Sequence, residues 1–215
     1  MMNTYRFALP AAICLFVFVV PSSIYAQDSG INPRFFYMVN GQPVNRTISL
    51  GDPTNWSLNL QGRQGASAGG KIEIVPAEFK AKDDAIRISW NPKKDIQGNL
   101  GLYGAPIDIS SFKNTASLSI DMRVEKKPNK DVNVGLDCGY PCRADLKING
   151  LIKAMPMNEW FTLPLPLNCF KGDNFDLSKI NGAFTISTSG RLTMSVANVR
   201  LEKLAEGEKG CVEVQ

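Results

Sequence analysis

The sequence predicts an all-β protein, an antiparallel sandwich of short strands. Short segments alternate apolar and polar residues, clusters of Gly, Pro, Asn and Asp separate them, and no helix-period run follows residue 26. Alternation at period two gives a strand one apolar face and one polar face, as a half-buried antiparallel sheet requires.

Residues 1–26 precede that pattern. Arg6 is followed by an apolar run over 7–20, then Pro21, Ser22 and Ser23, and Ala26 stands before Gln27. A basic start, a short apolar core and a small residue at the cut are the marks of a cleavable secretory signal. The run is short for a membrane span, and no later stretch approaches the roughly 20 apolar residues that a span needs. The chain is therefore expected to be exported, periplasmic or extracellular, with no membrane insertion after cleavage. Of the 24 basic side chains cleavage removes only Arg6, and of the 20 acidic ones none. The near balance that remains gives no electrostatic footprint for nucleic acid.

Residues 27–55 read as a partly irregular N-terminal extension punctuated by Gly41-Gln42-Pro43 and Gly51-Asp52-Pro53. A sandwich domain is expected over 56–205, with a first strand at 56–60. The Gly/Ala/Ser-rich stretch 61–70 (QGRQGASAGG) reads as a mobile loop. Strands are then expected at 71–75 and 85–90, the latter with Ile86, Ile88 and Trp90 on one face. The run NLGLYGAP around Tyr103 reads as a Gly-rich loop. Strands follow at 118–124 (LSIDMRV), 132–138 (VNVGLDC), 145–148, 160–165, 183–188, 191–196 and 199–204. The segment 177–180 (LSKI) offers at most one helical turn. Trp90 and Trp160 are expected in the core, leaving Trp56, Tyr103 and Tyr140 as the freer aromatic residues.

Four cysteines lie beyond the signal: Cys138, Cys142, Cys169 and Cys211. An even number in an exported chain points to disulfides, with three possible connectivities. The close spacing of Cys138 and Cys142 favours a local bridge across a turn, and Cys169 would then tie Cys211 and the tail 206–215 to the body. Histidine is absent. That excludes Ser-His-Asp and Cys-His nucleophiles and the common histidine-ligated zinc enzymes.

The stretch 85–204 resembles the galactose-binding-like domain at the C-terminus of ExoP-type exo-β-glucan hydrolases of glycoside hydrolase family 3. DAIRISW at 84–90, LSIDMRV at 118–124, Asp137-Cys138-Gly139 with Cys142, Trp160 before Leu163-Pro164-Leu165, Asn168-Cys169-Phe170 and FTISTSG at 184–190 carry the resemblance. It implies a jelly-roll β-sandwich related to carbohydrate-binding modules, with a structural calcium. The catalytic domains that precede the module in those enzymes have no counterpart in this sequence, so the resemblance implies a non-catalytic module that binds a β-glucan-type carbohydrate. The other reading is a cell-envelope protein that uses the sandwich to engage a protein partner.

If apolar residues point inward, Arg87, Ser89, Asp121, Arg123, Asn133, Asp137, Thr185 and Ser187 point outward. Carboxylate, guanidinium and amide groups held on a shallow surface are what sugar hydroxyls need. Asp121, Arg123 and Asp137 are the expected polar cluster, with Arg87 beside them and Tyr103 and Tyr140 as rim rings for stacking. Asp83-Asp84 suit a turn, or a calcium site completed by backbone carbonyls.

Overall fold

The computed structural model describes residues 35–92 and 94–211, so the signal-peptide reading of 1–26 lies outside the described residues. The strands are β1 (Phe36–Val39), β2 (Gln42–Pro43), β3 (Thr47–Asp52), β4 (Asn55–Asn59), β5 (Gly65–Ala66), β6 (Ile72–Ala77), β7 (Ala85–Trp90), β8 (Gly98–Ile107), β9 (Ala116–Lys126), β10 (Asn133–Asp137), β11 (Arg143–Lys147), β12 (Trp160–Pro166), β13 (Ile180–Thr188) and β14 (Leu192–Lys203). A short helix α1 (Asn149–Ala154) follows β11, and a single 3-10 turn at Leu177–Lys179 stands where LSKI predicts one.

Two sheets form the sandwich. The first runs β12-β9-β14-β7-β6-β5, with β1 added to β14 and β2 to β1; the second runs β11-β10-β13-β8-β3-β4. The pairings within both sheets are antiparallel. Alternation works as the sequence predicts. Leu118, Ile120, Met122 and Val124 of β9 meet Leu100, Leu102, Phe184 and Ile186 of the second sheet in one buried cluster, and Trp90 joins them. The Trp90 indole N–H donates to the Gly98 carbonyl at 3.0 Å, so the ring is buried without leaving its polar atom unpaired.

Several elements differ from the sequence-based expectation, each for a local reason. The extension 27–55 is not an appendage over its described part: β1 pairs with β14, and β3 pairs with β8. Ile48 and Leu50 carry the alternation in β3, but flanking Gly and Pro hide it. Gly65–Ala66 pairs with β6, so the stretch 61–70 contains a short hairpin strand. The run around Tyr103 is no loop but part of the ten-residue strand β8. The two segments 191–196 and 199–204 are one strand, β14. Its register shifts between Val196 and Asn198, and this extra residue moves the buried positions from Leu192, Met194 and Val196 to Val199 and Leu201. Trp160 is half-buried on the outer surface, 4.6 Å from the Phe79 ring and 5.1 Å beneath the Arg123 guanidinium, rather than in the core.

Asp121 holds the middle of the first sheet together. One carboxylate oxygen accepts from the Thr162 hydroxyl at 2.7 Å; the other accepts from the Asn198 amide at 2.7 Å and the Arg200 guanidinium at 2.8 Å. Three strands are tied by one nearly buried charge. Burial works to raise the Asp121 pKa, but the three donors outweigh it and hold the carboxyl below its ordinary value. A depressed folded-state pKa stabilises the fold above the unfolded value of about 4, and the contribution is lost as pH falls through the lower folded value. Asp121→Asn is therefore expected to cost about 1.5–3 kcal/mol in urea denaturation at pH 7. The variant should also lose less stability than the wild type between neutral and strongly acidic pH. Equal acid sensitivity of the two proteins would contradict this.

Candidate functional site

The outer face of the second sheet is polar because the core takes the other set of side chains. On β10, Val134 and Leu136 are buried, which turns Asn133, Gly135 and Asp137 outward. By the same alternation β11 presents Arg143 and Asp145, β8 presents Asn99 and Tyr103, and β13 presents Thr185 and Ser187. These strands, the edge strand β4 and the turn after β10 enclose a concavity of about 860 Å³.

Glycines make room in its floor. A Cβ on Gly182 would lie 2.8 Å from the Tyr103 ring, and one on Gly101 would overlap the opposite edge of the same ring. Tyr103 therefore lies down across two bare backbone positions on adjacent strands. On Gly135 a Cβ would overlap the Asp145 carboxylate and approach the Thr185 hydroxyl to 2.7 Å. Glycines in mid-strand weaken a sheet, and here they mark close approach.

The polar groups hold one another in place. The Tyr103 hydroxyl donates to Asp137 at 3.3 Å, and the other Asp137 oxygen accepts from the Gly139 N–H at 2.8 Å. Arg143 donates to Asp145 at 2.6 Å. Burial, followed by the Asp137 charge, pushes the Tyr103 phenol up to about 12. Burial works to lower the Arg143 pKa, but the hydrogen bond and charge of Asp145, with Asp137 adding, raise it. At neutral pH the face thus presents a neutral phenol and a fixed guanidinium between carboxylates.

Two further rings stand at the margins. Trp56, on the edge strand β4, is 55% exposed, and Tyr140 is 95% exposed at the tip of the turn closed by the Cys138–Cys142 disulfide. Within that turn the Cys138 N–H donates to the Cys142 carbonyl at 2.8 Å and the Cys142 N–H to the Gly139 carbonyl at 2.7 Å. Trp56, Tyr103 and Tyr140 line the same concavity, one from each edge of the sheet and one from its middle.

Asp137, Tyr103 and Tyr140, expected from the sequence, thus come together. Asp121, Arg123 and Arg87 do not join them. The expected cluster assumed that 118–124 and 132–138 are neighbours, but β9 lies in the first sheet and β10 in the second. Asp121 is a strand tie, Arg123 stacks on Trp160 and pairs with Glu125 at 3.0 Å, and Arg87 is exposed on β7. Sequence reasoning missed Asn99, hidden in a run read as a loop. It also missed Arg143 and Asp145, although their i, i+2 spacing in RADLK places them on one strand face.

Asp83 and Asp84 sit elsewhere, in the turn before β7. The Asp84 carboxylate accepts from the N–H groups of Phe79, Lys80 and Ala81 at 2.6, 2.9 and 2.8 Å, and Asp83 adopts a positive φ of 59°. These contacts make Asp84 a turn cap. Among the described residues no group of three or more acidic or cysteine side chains gathers that could hold a metal ion. The second disulfide, Cys169–Cys211, ties the tail to the 3-10 turn after β12, where the Asn168 side chain also accepts from the Cys211 N–H at 3.0 Å.

The family model described as galactose-binding domain-like, Exop_C, matches residues 47–201. The chain belongs to the Exop_C family. The Exop_C sandwich of this chain is similar to the extra C-terminal domain of the exo-1,3/1,4-beta-glucanase ExoP from a Pseudoalteromonas species, with 20% identity over 82% of this chain and 96% of that domain, and a TM-score of 0.66. Against the whole ExoP enzyme the identity is 21% and the TM-score 0.65, and the match spans 84% of this chain but 21% of the enzyme. The family 30 carbohydrate-binding module of the cellulosomal cellulase Cel9D-Cel44B of Clostridium thermocellum is 14% identical, over 81% of this chain and 98% of the module, with a TM-score of 0.57. At these identities the structures share the fold. No curated protein is similar in sequence.

In this Exop_C domain, Asp137→Asn is expected to lower the Tyr103 ionisation, read as the difference in tyrosinate absorbance against Tyr103→Phe, because it removes the charge that opposes a phenolate at Tyr103. An unchanged titration would show that Asp137 does not act on that phenol.

Proposed function

We propose that this Exop_C chain is an exported, non-catalytic carbohydrate-binding module that holds a β-glucan-type chain on the concave face of its second sheet. One observation carries the reading: Trp56, Tyr103 and Tyr140 line a single concavity with the Asn99 amide, the Asp137 carboxylate and the Arg143–Asp145 pair. The C–H face of a pyranose packs on an aromatic ring, and its hydroxyls pair with planar polar groups. Rings at both margins and in the middle suit a ligand that crosses the strands. The names of the structural neighbours, a domain of a 1,3/1,4-β-glucanase and a carbohydrate-binding module of a cellulase, point to the same ligand class.

A non-catalytic role agrees with how the carboxylates of the face are used. Asp137 accepts from Tyr103 and Gly139, and Asp145 from Arg143. Glycoside hydrolysis needs one carboxylic acid poised to give up its proton and a second carboxylate across the scissile bond. Export is supported by the residue pattern of 1–26 and by two disulfides, which persist in oxidising compartments. No helix among the described residues is long and apolar enough to cross a membrane.

Isothermal titration with soluble mixed-linkage β-glucan and β-gluco-oligosaccharides tests the reading. Trp56→Ala, Tyr103→Ala and Tyr140→Ala are each expected to weaken binding several-fold to about tenfold, with stability unchanged for the two exposed rings. Absence of heat and of competition across glucans and galactans, with the protein folded, would overturn it. Export has its own check: the protein purified from the native host should begin at Gln27, and an intact Met1 would contradict cleavage.

A further inference from the structure

One end of the sandwich holds a buried charge that the polar face does not use. Lys71 precedes β6, and none of it is exposed. Its stem runs over Gly98, where a Cβ would overlap it, at the start of β8. Its ammonium reaches the main-chain carbonyls of Asn91, Lys94, Ser189 and Gly190 at 3.0, 2.6, 2.7 and 3.0 Å. Asn91 and Lys94 belong to the crossing from β7 to β8, and Ser189 and Gly190 to the crossing from β13 to β14. Both connections pass from one sheet to the other at the same end.

Four acceptors exceed the three N–H donors of an ammonium. The carbonyls therefore surround a positive centre rather than match three directed bonds, as in filters where backbone oxygens replace the hydration shell of a potassium ion. Among the described residues no carboxylate is bonded to the ammonium: the Asp95 side chain is bonded by Lys130 instead. A cage of neutral oxygens suits a single positive charge, whereas calcium sites draw on carboxylates. Burial pulls the Lys71 pKa below that of an ordinary lysine, with the charge of Asp95 opposing and that of Lys130 adding to it.

We propose that the four carbonyls of Asn91, Lys94, Ser189 and Gly190 form a monovalent-cation site, that the Lys71 ammonium is its built-in occupant, and that removing the ammonium opens the site to a small cation such as potassium or ammonium. The occupant holds together the two crossings between the sheets. It also secures the start of β8 and the end of β13, which carry Asn99 and Ser187 into the concave face. The site stands apart from the sugar-binding reading, and neither depends on the other.

The test uses the full mature chain with Lys71→Ala, which vacates the cage, and Lys71→Met, which keeps much of the stem without the charge. Melting is followed in chlorides of potassium, ammonium, sodium and calcium, with tetramethylammonium as the ionic-strength control. Both variants are expected to melt at least about 5 °C below the wild type in tetramethylammonium chloride. Potassium or ammonium should restore a large part of that loss in Lys71→Ala and leave the wild type unmoved. Lys71→Met melting with the wild type, or no cation restoring Lys71→Ala beyond the control, overturns the proposal. If neither variant folds, amine acylation of the native wild type with mass-spectrometric readout decides. Lys71 should react at least about a hundredfold more slowly than the exposed Lys130, and equal reactivity overturns the site.

Discussion

The dry layer between two sheets is the constraint on which the rest of this structure depends. Every strand that contributes Ile, Leu, Val or Met to that layer must send its other side chains outward, so each sheet acquires a polar face as a consequence of its apolar one. Where the phase would drift, the chain corrects it. The shifted register of β14 between Val196 and Asn198 keeps Val199 and Leu201 in the core while Asn198 and Arg200 turn out to meet Asp121. The bulge and the carboxylate hub are parts of one solution.

The two outer faces resolve their polarity differently. On the first sheet the charges satisfy one another: Asp121 with Arg200, Arg123 with Glu125, and Arg123 again over Trp160. On the second sheet Gly101, Gly135 and Gly182 remove side chains from the floor, and the space admits a tyrosine lying flat and a carboxylate tucked beside a threonine. Weakening the strands locally is what opens a concavity in an otherwise close-packed sheet. The Cys138–Cys142 disulfide closes the Tyr140 turn at the margin, with Cys138 packed against the core.

Much of this was legible in the residues. Strict alternation in LSIDMRV and VNVGLDC identified both strands and their inward sides correctly. Asp137, Tyr103 and Tyr140 were recognisable as outward candidates. The strand β8 was not legible, because its glycines look like loop residues until Tyr103 is seen to need Gly101 and Gly182 beneath it. The Asp121/Arg123/Asp137 grouping failed for a related reason. Alternation says which side of its own sheet a residue faces and nothing about which sheet the strand joins.

By itself the sequence determined an all-β chain with one apolar face per strand, because period-two burial is a local property of each segment. Its cysteine spacing also pointed to a local cystine turn. Only the tertiary structure decided which strands are neighbours. Pairing is set by long-range packing, and it divided the polar candidates between an internally paired face and an open one. It likewise brought two crossings together around Lys71, whose place among four carbonyls has no counterpart in the pattern of residues near it.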